Sequence, residues 1–240
     1  MDGVVYACDI GSIKRDNFAW SRVVSLETQP VASRDIDRLL DRIAVDVRSG
    51  ASIALGFEAP LFIPVPLHSD DLNAGRTGEA NRSMFAPTGA CVTTPAIHEA
   101  AWILRGLRDR TGTTLDFTVD WRQPWRSSSG AARLLVWEAF VSSSAHGDTH
   151  ERDAATAARY FLEHEHHLAN VNAVTCEQPF SLIHCAAMFA GWSDNVGGLH
   201  DDCLVLRAQV PYDGPIDGAR QSTGNDNPDS RIRRKCSARV

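Results

Sequence analysis

The sequence lacks several things that would assign it quickly. Its six cysteines (8, 91, 176, 185, 203 and 236) form no C-x-x-C pair and no framework spacing, which argues against a disulfide scaffold or a zinc ribbon and makes reduced thiols the expectation. No apolar run approaches the roughly 18 residues that read as a membrane span, and no basic stretch leading into an apolar one opens the chain. A soluble, cytoplasmic protein with no membrane partner is therefore expected. There is no excess of positive charge either. The formal net charge is −6, so any contact with nucleic acid has to rest on local patches. No internal repeat is visible.

What remains is an ordinary globular composition over 240 residues, 43% hydrophobic and 22% charged, with room for a sizeable core. One domain is expected over residues 1–210, within the usual size range. From Pro211 onward Gly, Asn, Asp, Ser and Arg dominate with little to bury, which predicts a disordered tail over 211–240.

The chain is organised around Val4-Val5-Tyr6-Ala7-Cys8-Asp9-Ile10-Gly11-Ser12. A β-favouring run rises to one carboxylate, and a glycine then lets the backbone turn away. An acid at the end of a buried strand is costly unless charge or hydrogen bonds compensate it. A divalent cation would do so.

Further elements follow in order. Phe18–Val24 reads as an antiparallel partner of the first strand, and residues 27–34 read at most as a short edge strand. From Asp35 to about Val47, Ile36, Leu39, Leu40, Ile43 and Val47 fall on one helical face. Ser52–Glu58 is a second apolar strand ending in an acid. Residues 61–94 are long and irregular, an insertion of the kind that is usually functional or mobile. Thr94-Pro95 predicts a helix start, threonine as cap and proline in the first turn. Arg133–Phe140 reads as a central strand, and Asp148-x-x-Glu151 as a capping box opening a helix that runs to about Leu168. A helix over 180–192 and a late edge strand at 203–206 complete a C-terminal extension, residues 171–210.

Acids thus fall at two strand ends, Asp9 and Glu58, and at a helix start, Asp153, with His150 on the same helix face three residues earlier. Hard cations such as Mg²⁺ or Mn²⁺ take oxygen ligands from a few carboxylates and water. Two such ions can activate water and stabilise the leaving oxygen in phosphodiester hydrolysis, and the helix start adds partial positive charge beside them.

On these residues the chain resembles the RNase H-like superfamily. Asp9-x-Gly11, Glu58, and His150-x-x-Asp153-Ala154 look like the acidic set of RuvC-type Holliday-junction resolvases. The layout is closest to a family of uncharacterised predicted RNase H-like nucleases. The matching pieces are Asp9/Gly11, Glu58-Ala59-Pro60, Arg76 and Arg82 in the long loop, Val136-Trp137-Glu138, and Asp153-Ala154-Ala155, covering about residues 3–170. The resemblance implies an α/β fold, an RNase H-like mixed sheet flanked by helices. It also implies a metal-dependent hydrolase, a nuclease acting on nucleic acid. Asp9, Glu58 and Asp153 would bind Mg²⁺ or Mn²⁺, His150 would be a fourth ligand or proton carrier, Glu138 would stand behind the ligands, and Lys14, Arg76 and Arg82 would orient substrate phosphate. Two departures stand out. Glu58 replaces the aspartate usual in that turn, and His150 replaces one of two acids found in many relatives.

Each residue also has a plainer role. Asp9 can cap the amides of Gly11 and Ser12, Glu58 and Glu138 can pair with arginines, and Asp153 can answer the helix dipole. His150 can be an exposed helix-start residue. His164-Glu165-His166-His167 offers too few ligands for zinc. Trp121, Arg122, Trp125 and Arg126 can stack bases or pack on a loop, and Arg231–Lys235 is a short basic run that could touch phosphate. Two other functions share the scaffold. One is a nucleotide-binding phosphotransferase related to sugar kinases and actin-like ATPases, with Ser12 and Lys14 near phosphate. The other is a non-catalytic binding module. Oligomeric state leaves no mark in the sequence.

Overall fold

The computed structural model describes residues 3–79, 87–112, 115–126, 131–142 and 144–218, with 87–90 as backbone only. The elements are β1 (Gly3–Asp9), β2 (Ala19–Val23), β3 (Val31–Ser33), α1 (Ile36–Arg48), β4 (Ser52–Phe57), β5 (Phe62–Pro64), α2 (Pro87–Thr111), β6 (Leu115–Thr118), β7 (Ala132–Val141), α3 (His150–His164), α4 (Leu168–Val171), β8 (Pro179–Ser181), α5 (Leu182–Phe189) and β9 (Val205–Ala208). Short 3₁₀ turns intervene.

Seven strands form one mixed sheet in the order β3-β2-β1-β4-β7-β6, with β9 also on β7. The β1–β2–β3 portion is an antiparallel meander, and β1, β4, β7, β6 and β9 run parallel. The ten residues of β7 carry two partners on one edge, β6 along 132–135 and β9 along 138–141. This mixed α/β sheet with helices packed on it is compatible with an RNase H-like arrangement.

Side-chain alternation along the strands builds two cores. Val4, Tyr6, Cys8, Ile53, Leu55, Phe57, Leu134 and Val136 face α1, α2 and α5. Val5, Ala7, Ala54, Leu135, Trp137 and Ala139 face α3. Ala154, Ala155, Ala157 and Ala158 are all buried and let α3 lie close to the sheet, where Phe161 packs on Trp125 and Trp137. On the other face, Tyr6 donates to Asp46 and Arg22 pairs with the same carboxylate at 2.7 Å, pinning α1.

Several expectations need correction. The helix expected to start at Thr94-Pro95 begins at Pro87, and Pro95 lies inside it. Both prolines suit a first turn, and Pro87 takes that place. Pro95 then forgoes one intrahelical bond, typically a cost of about 3 kcal/mol. The cap of α3 is Thr149, whose side chain accepts from the Arg152 amide; Asp148 instead pairs with Arg152 at 3.1 Å. Leu115–Thr118 forms a strand that four residues of mixed polarity did not announce. Residues 211–218, expected to open the tail, instead pack on the domain. Asp217 bridges to Val31, the Tyr212 amide donates to Thr156 Oγ1 at 2.9 Å, and Arg152 donates to the carbonyls of Tyr212 and Gly214 at 2.8 and 3.2 Å. Arg82 and the run 231–235 lie outside the described residues. Among those described, no helix is long and apolar enough to cross a membrane.

Candidate active site

β1 and β4 are parallel neighbours, Cys8 opposite Phe57, so the next residues, Asp9 and Glu58, emerge side by side. Strand alternation sends both toward α3, the face of Val5, Ala7 and Ala54. From α3 come His150 in the first turn and Asp153 one turn on. His150 Nδ1 lies 2.6 Å from Asp9 Oδ2. Asp153 Oδ2 is 3.0 Å from His146 Nδ1, and its other oxygen accepts the Gly147 amide at 2.6 Å. Glu58 accepts the Val141 amide at 3.3 Å and shares a hydrogen bond with Asp9. The sequence therefore named four residues that the fold brings to one place.

A fifth was missed. Glu99 of α2 accepts the Gly11 amide and feels the charge of Asp9, while its Oε2 is enclosed with no hydrogen-bond partner. Its signal was present in the sequence. Glu99 lies at i+3 from Ala96 and i−4 from Ile103, both buried, so an acid interrupts the apolar stripe of a helix. Gly11 is required here, because a Cβ on it would come within 2.3 Å of the Asn17 carbonyl oxygen. His146, in the turn before α3, was also missed and carries no comparable signal.

Crowded, buried carboxylates resist ionisation together. Burial, then the charges of Asp9 and Asp153, push Glu58 well above the usual range. Burial raises Asp9 despite its hydrogen bond to His150. Burial and the Asp9 charge push Glu99 up to about 7. The hydrogen bond that the protonated ring donates to Asp9 raises His150. Burial pushes Glu151 upward, but the two bonds from Arg34 at 2.7 and 2.8 Å more than offset it and leave it lowered. That pair ties the start of α3 to the end of β3.

The remaining expectations separate. Glu138 does not stand behind this centre. It points to the opposite face of the sheet, where Arg76 grips it through two bonds at 2.7 and 2.8 Å and the Leu61 amide donates to it. Arg76 also pairs with Glu79 and its side chain is fully buried, so it is spent on structure and unavailable to a phosphate. Lys14 is exposed on the turn after β1. Trp125 is core, Arg126 pairs with Glu165, and Arg122 pairs with Asp202. An open cleft of about 400 Å³ between residues 64–77 and 175–178 is lined by none of the clustered acids.

The carboxylate oxygens of this donor set suit a hard divalent cation, the two imidazoles are better accepted by Mn²⁺ than by Mg²⁺, and the partnerless Glu99 oxygen suits a positive charge. As packed, no three His, Cys, Asp or Glu side chains among the described residues are arranged to hold a metal ion. Their oxygens are turned to imidazoles and backbone amides, so holding an ion would require side-chain rotation, chiefly the release of Asp9 from His150. No protein-family model, curated protein or solved structure matches the chain.

Proposed function

We propose that this chain is a metal-dependent phosphodiesterase, a nuclease of RNase H-like type. The observation that carries the reading is the convergence of Asp9, Glu58, Asp153 and His150, from three elements and 145 positions of sequence, at the carboxyl ends of β1 and β4. Ligands of open α/β sheets characteristically sit there. Asp9, Glu58 and Asp153 are the residues to hold Mg²⁺ or Mn²⁺, with Glu99 beside them. A bound divalent cation supplies a lowered water pKa and neutralises phosphate charge.

The chain's own groups do the rest. His150 holds Asp9 in place and can carry a proton at Nδ1. His146 and the Gly147 amide fix Asp153. The amino end of α3 adds partial positive charge where a phosphate would sit. Lys14 is an exposed cation on the adjoining turn, and Arg76 is not available for that work. The five described cysteines are free, which suits a reducing, cytoplasmic setting.

Purified protein incubated with single-stranded DNA, duplex DNA and RNA tests this directly. Cleavage that needs Mn²⁺ or Mg²⁺ and is lost in Asp9→Asn supports it. No cleavage of any form, with wild type and variant alike, overturns it. The donor arrangement as packed favours a second reading, a binding module that keeps the fold without catalysis. An absence of Mn²⁺ binding in titration calorimetry would select that reading.

A further inference from the structure

We infer that the outer face of α2 and α5 is a landing track for one nucleic-acid strand leading to the acidic centre; this rests on the phosphodiesterase reading above. Trp102, Arg105 and Arg108 follow Glu99 at intervals of three along α2. Each interval advances about 4.5 Å along the helix axis and swings back about 60° round it, so the positions start one turn from Glu99 and wind round α2 toward α5, where Arg105 and Arg108 meet Phe189 and Trp192. Trp102 is 46% exposed, and Phe189 of α5 is 68% exposed. The Arg105 guanidinium carbon lies 5.9 Å from the Phe189 ring centre, and that of Arg108 lies 5.2 Å from the Trp192 ring centre. Trp192 is itself fixed by its indole nitrogen donating to the Leu104 carbonyl at 2.8 Å.

The charges on this face are available. Arg110, on the same helix, is taken by Asp37 and Asp41. Among the described residues Arg105 and Arg108 form no ion pair, although Asp109 is close in sequence; Arg108 donates only to the Gly112 carbonyl. Aromatic faces interleaved with guanidinium groups are the chemistry that holds single strands, bases stacking on rings and phosphates meeting arginine. A duplex keeps its bases stacked on one another and cannot use exposed rings this way. A two-fold contact between copies would bring the arginine row of one chain toward its own image, which like charge disfavours.

The test is fluorescence anisotropy of the full chain with a fluorescein-labelled oligothymidylate of about 20 nucleotides, longer than a typical 4–16 nucleotide site. Chelator is present, so binding is read without hydrolysis. Trp102→Ala and Phe189→Ala should each weaken binding about 5- to 150-fold, the range for losing one stacked base, with Trp102→Tyr restoring most of it. Replacing Arg105 and Arg108 together with alanine should flatten the slope of log affinity against log salt by about 1.4. Unchanged affinity in both aromatic variants overturns the track, even if the protein cleaves DNA. Binding that follows the track without any metal-dependent cleavage supports the track and removes the phosphodiesterase reading. Self-association in sedimentation that Trp102→Ala abolishes, with no oligonucleotide binding, overturns the track and assigns this face to contact between copies.

Discussion

Glu58, the residue that follows β4, and Glu138 of the neighbouring parallel strand β7 are one position out of register, Phe57 being the residue opposite Glu138, and their carboxylates therefore leave the sheet on opposite faces. Glu58 joins Asp9 toward α3, whereas Glu138 is locked by Arg76 on the side of α2 and α5. Two acids that look alike in sequence thus have different physical jobs, and variants should separate them.

Glu138→Ala should destabilise the fold by about 3–5 kcal/mol, because Arg76 would be left as a buried charge with one partner fewer. Replacing Arg76 and Glu138 together by similar-sized apolar residues should cost less than the sum of the two single changes, Glu79 being left without its arginine whenever Arg76 is removed. Urea titrations of the three variants measure this. Near-additive losses would mean that the two residues are not coupled.

Asp9→Asn and Glu58→Gln should leave the fold intact and reduce metal-dependent cleavage by more than about 100-fold, the upper range for losing a residue that merely supports a ligand. Both changes remove mutual repulsion, so neither should lower Tm without metal. A variant that unfolds, or one that cleaves at the wild-type rate, would contradict the assignment.

Glu99 gives a pH dependence of definite sign. Its carboxyl is raised to about 7 from a usual 4.5, so the fold prefers the protonated form. That contribution is fully present below about pH 4.5 and is lost as pH rises through 7. Tm of metal-free protein should carry this loss between about pH 5 and 8, and Glu99→Gln should flatten the decline and exceed wild type at the alkaline end. Thermal melts across that range measure it. A variant parallel to wild type throughout would show that Glu99 ionises freely.

Cation binding should oppose the same loss. Mn²⁺ at about 100 times its Kd would add about 2.7 kcal/mol of stability, with a larger Tm increment at pH 8 than at pH 6, because the acids must shed protons to bind. Asp9→Asn should shrink the increment. An increment that ignores both pH and this substitution would point to ions bound elsewhere.

Much of this centre was legible in the sequence for a local reason. An apolar run that ends in an acid and a turn fixes where Asp9 and Glu58 leave the sheet, and a spacing of three fixes His150 beside Asp153. Adjacency of β1 to β4 made that local information converge. Glu138 was misplaced because its face depends on inter-strand register, and its partner Arg76 is 62 positions away. Arg76 looked like a cation for substrate for the same reason: nothing near it in sequence except Glu79 reveals that its charge is spoken for. Pro95 and Thr94 met every local rule for a helix start, yet the helix begins at Pro87 and runs through both. Glu99 was readable as an acid on an apolar stripe, but only once that stripe is known to face β1.

The strap formed by residues 211–218 has a consequence for how the first turn of α3 is held. Arg152 and Thr156 fasten it from one side of the helix, and Arg34 clamps Glu151 from β3, to which the strap is itself joined through Asp217. The turn bearing His150 and Asp153 is thereby moored at two points to the outermost strand of the sheet. Damage at that rim would be felt first as slack in the imidazole that steadies Asp9.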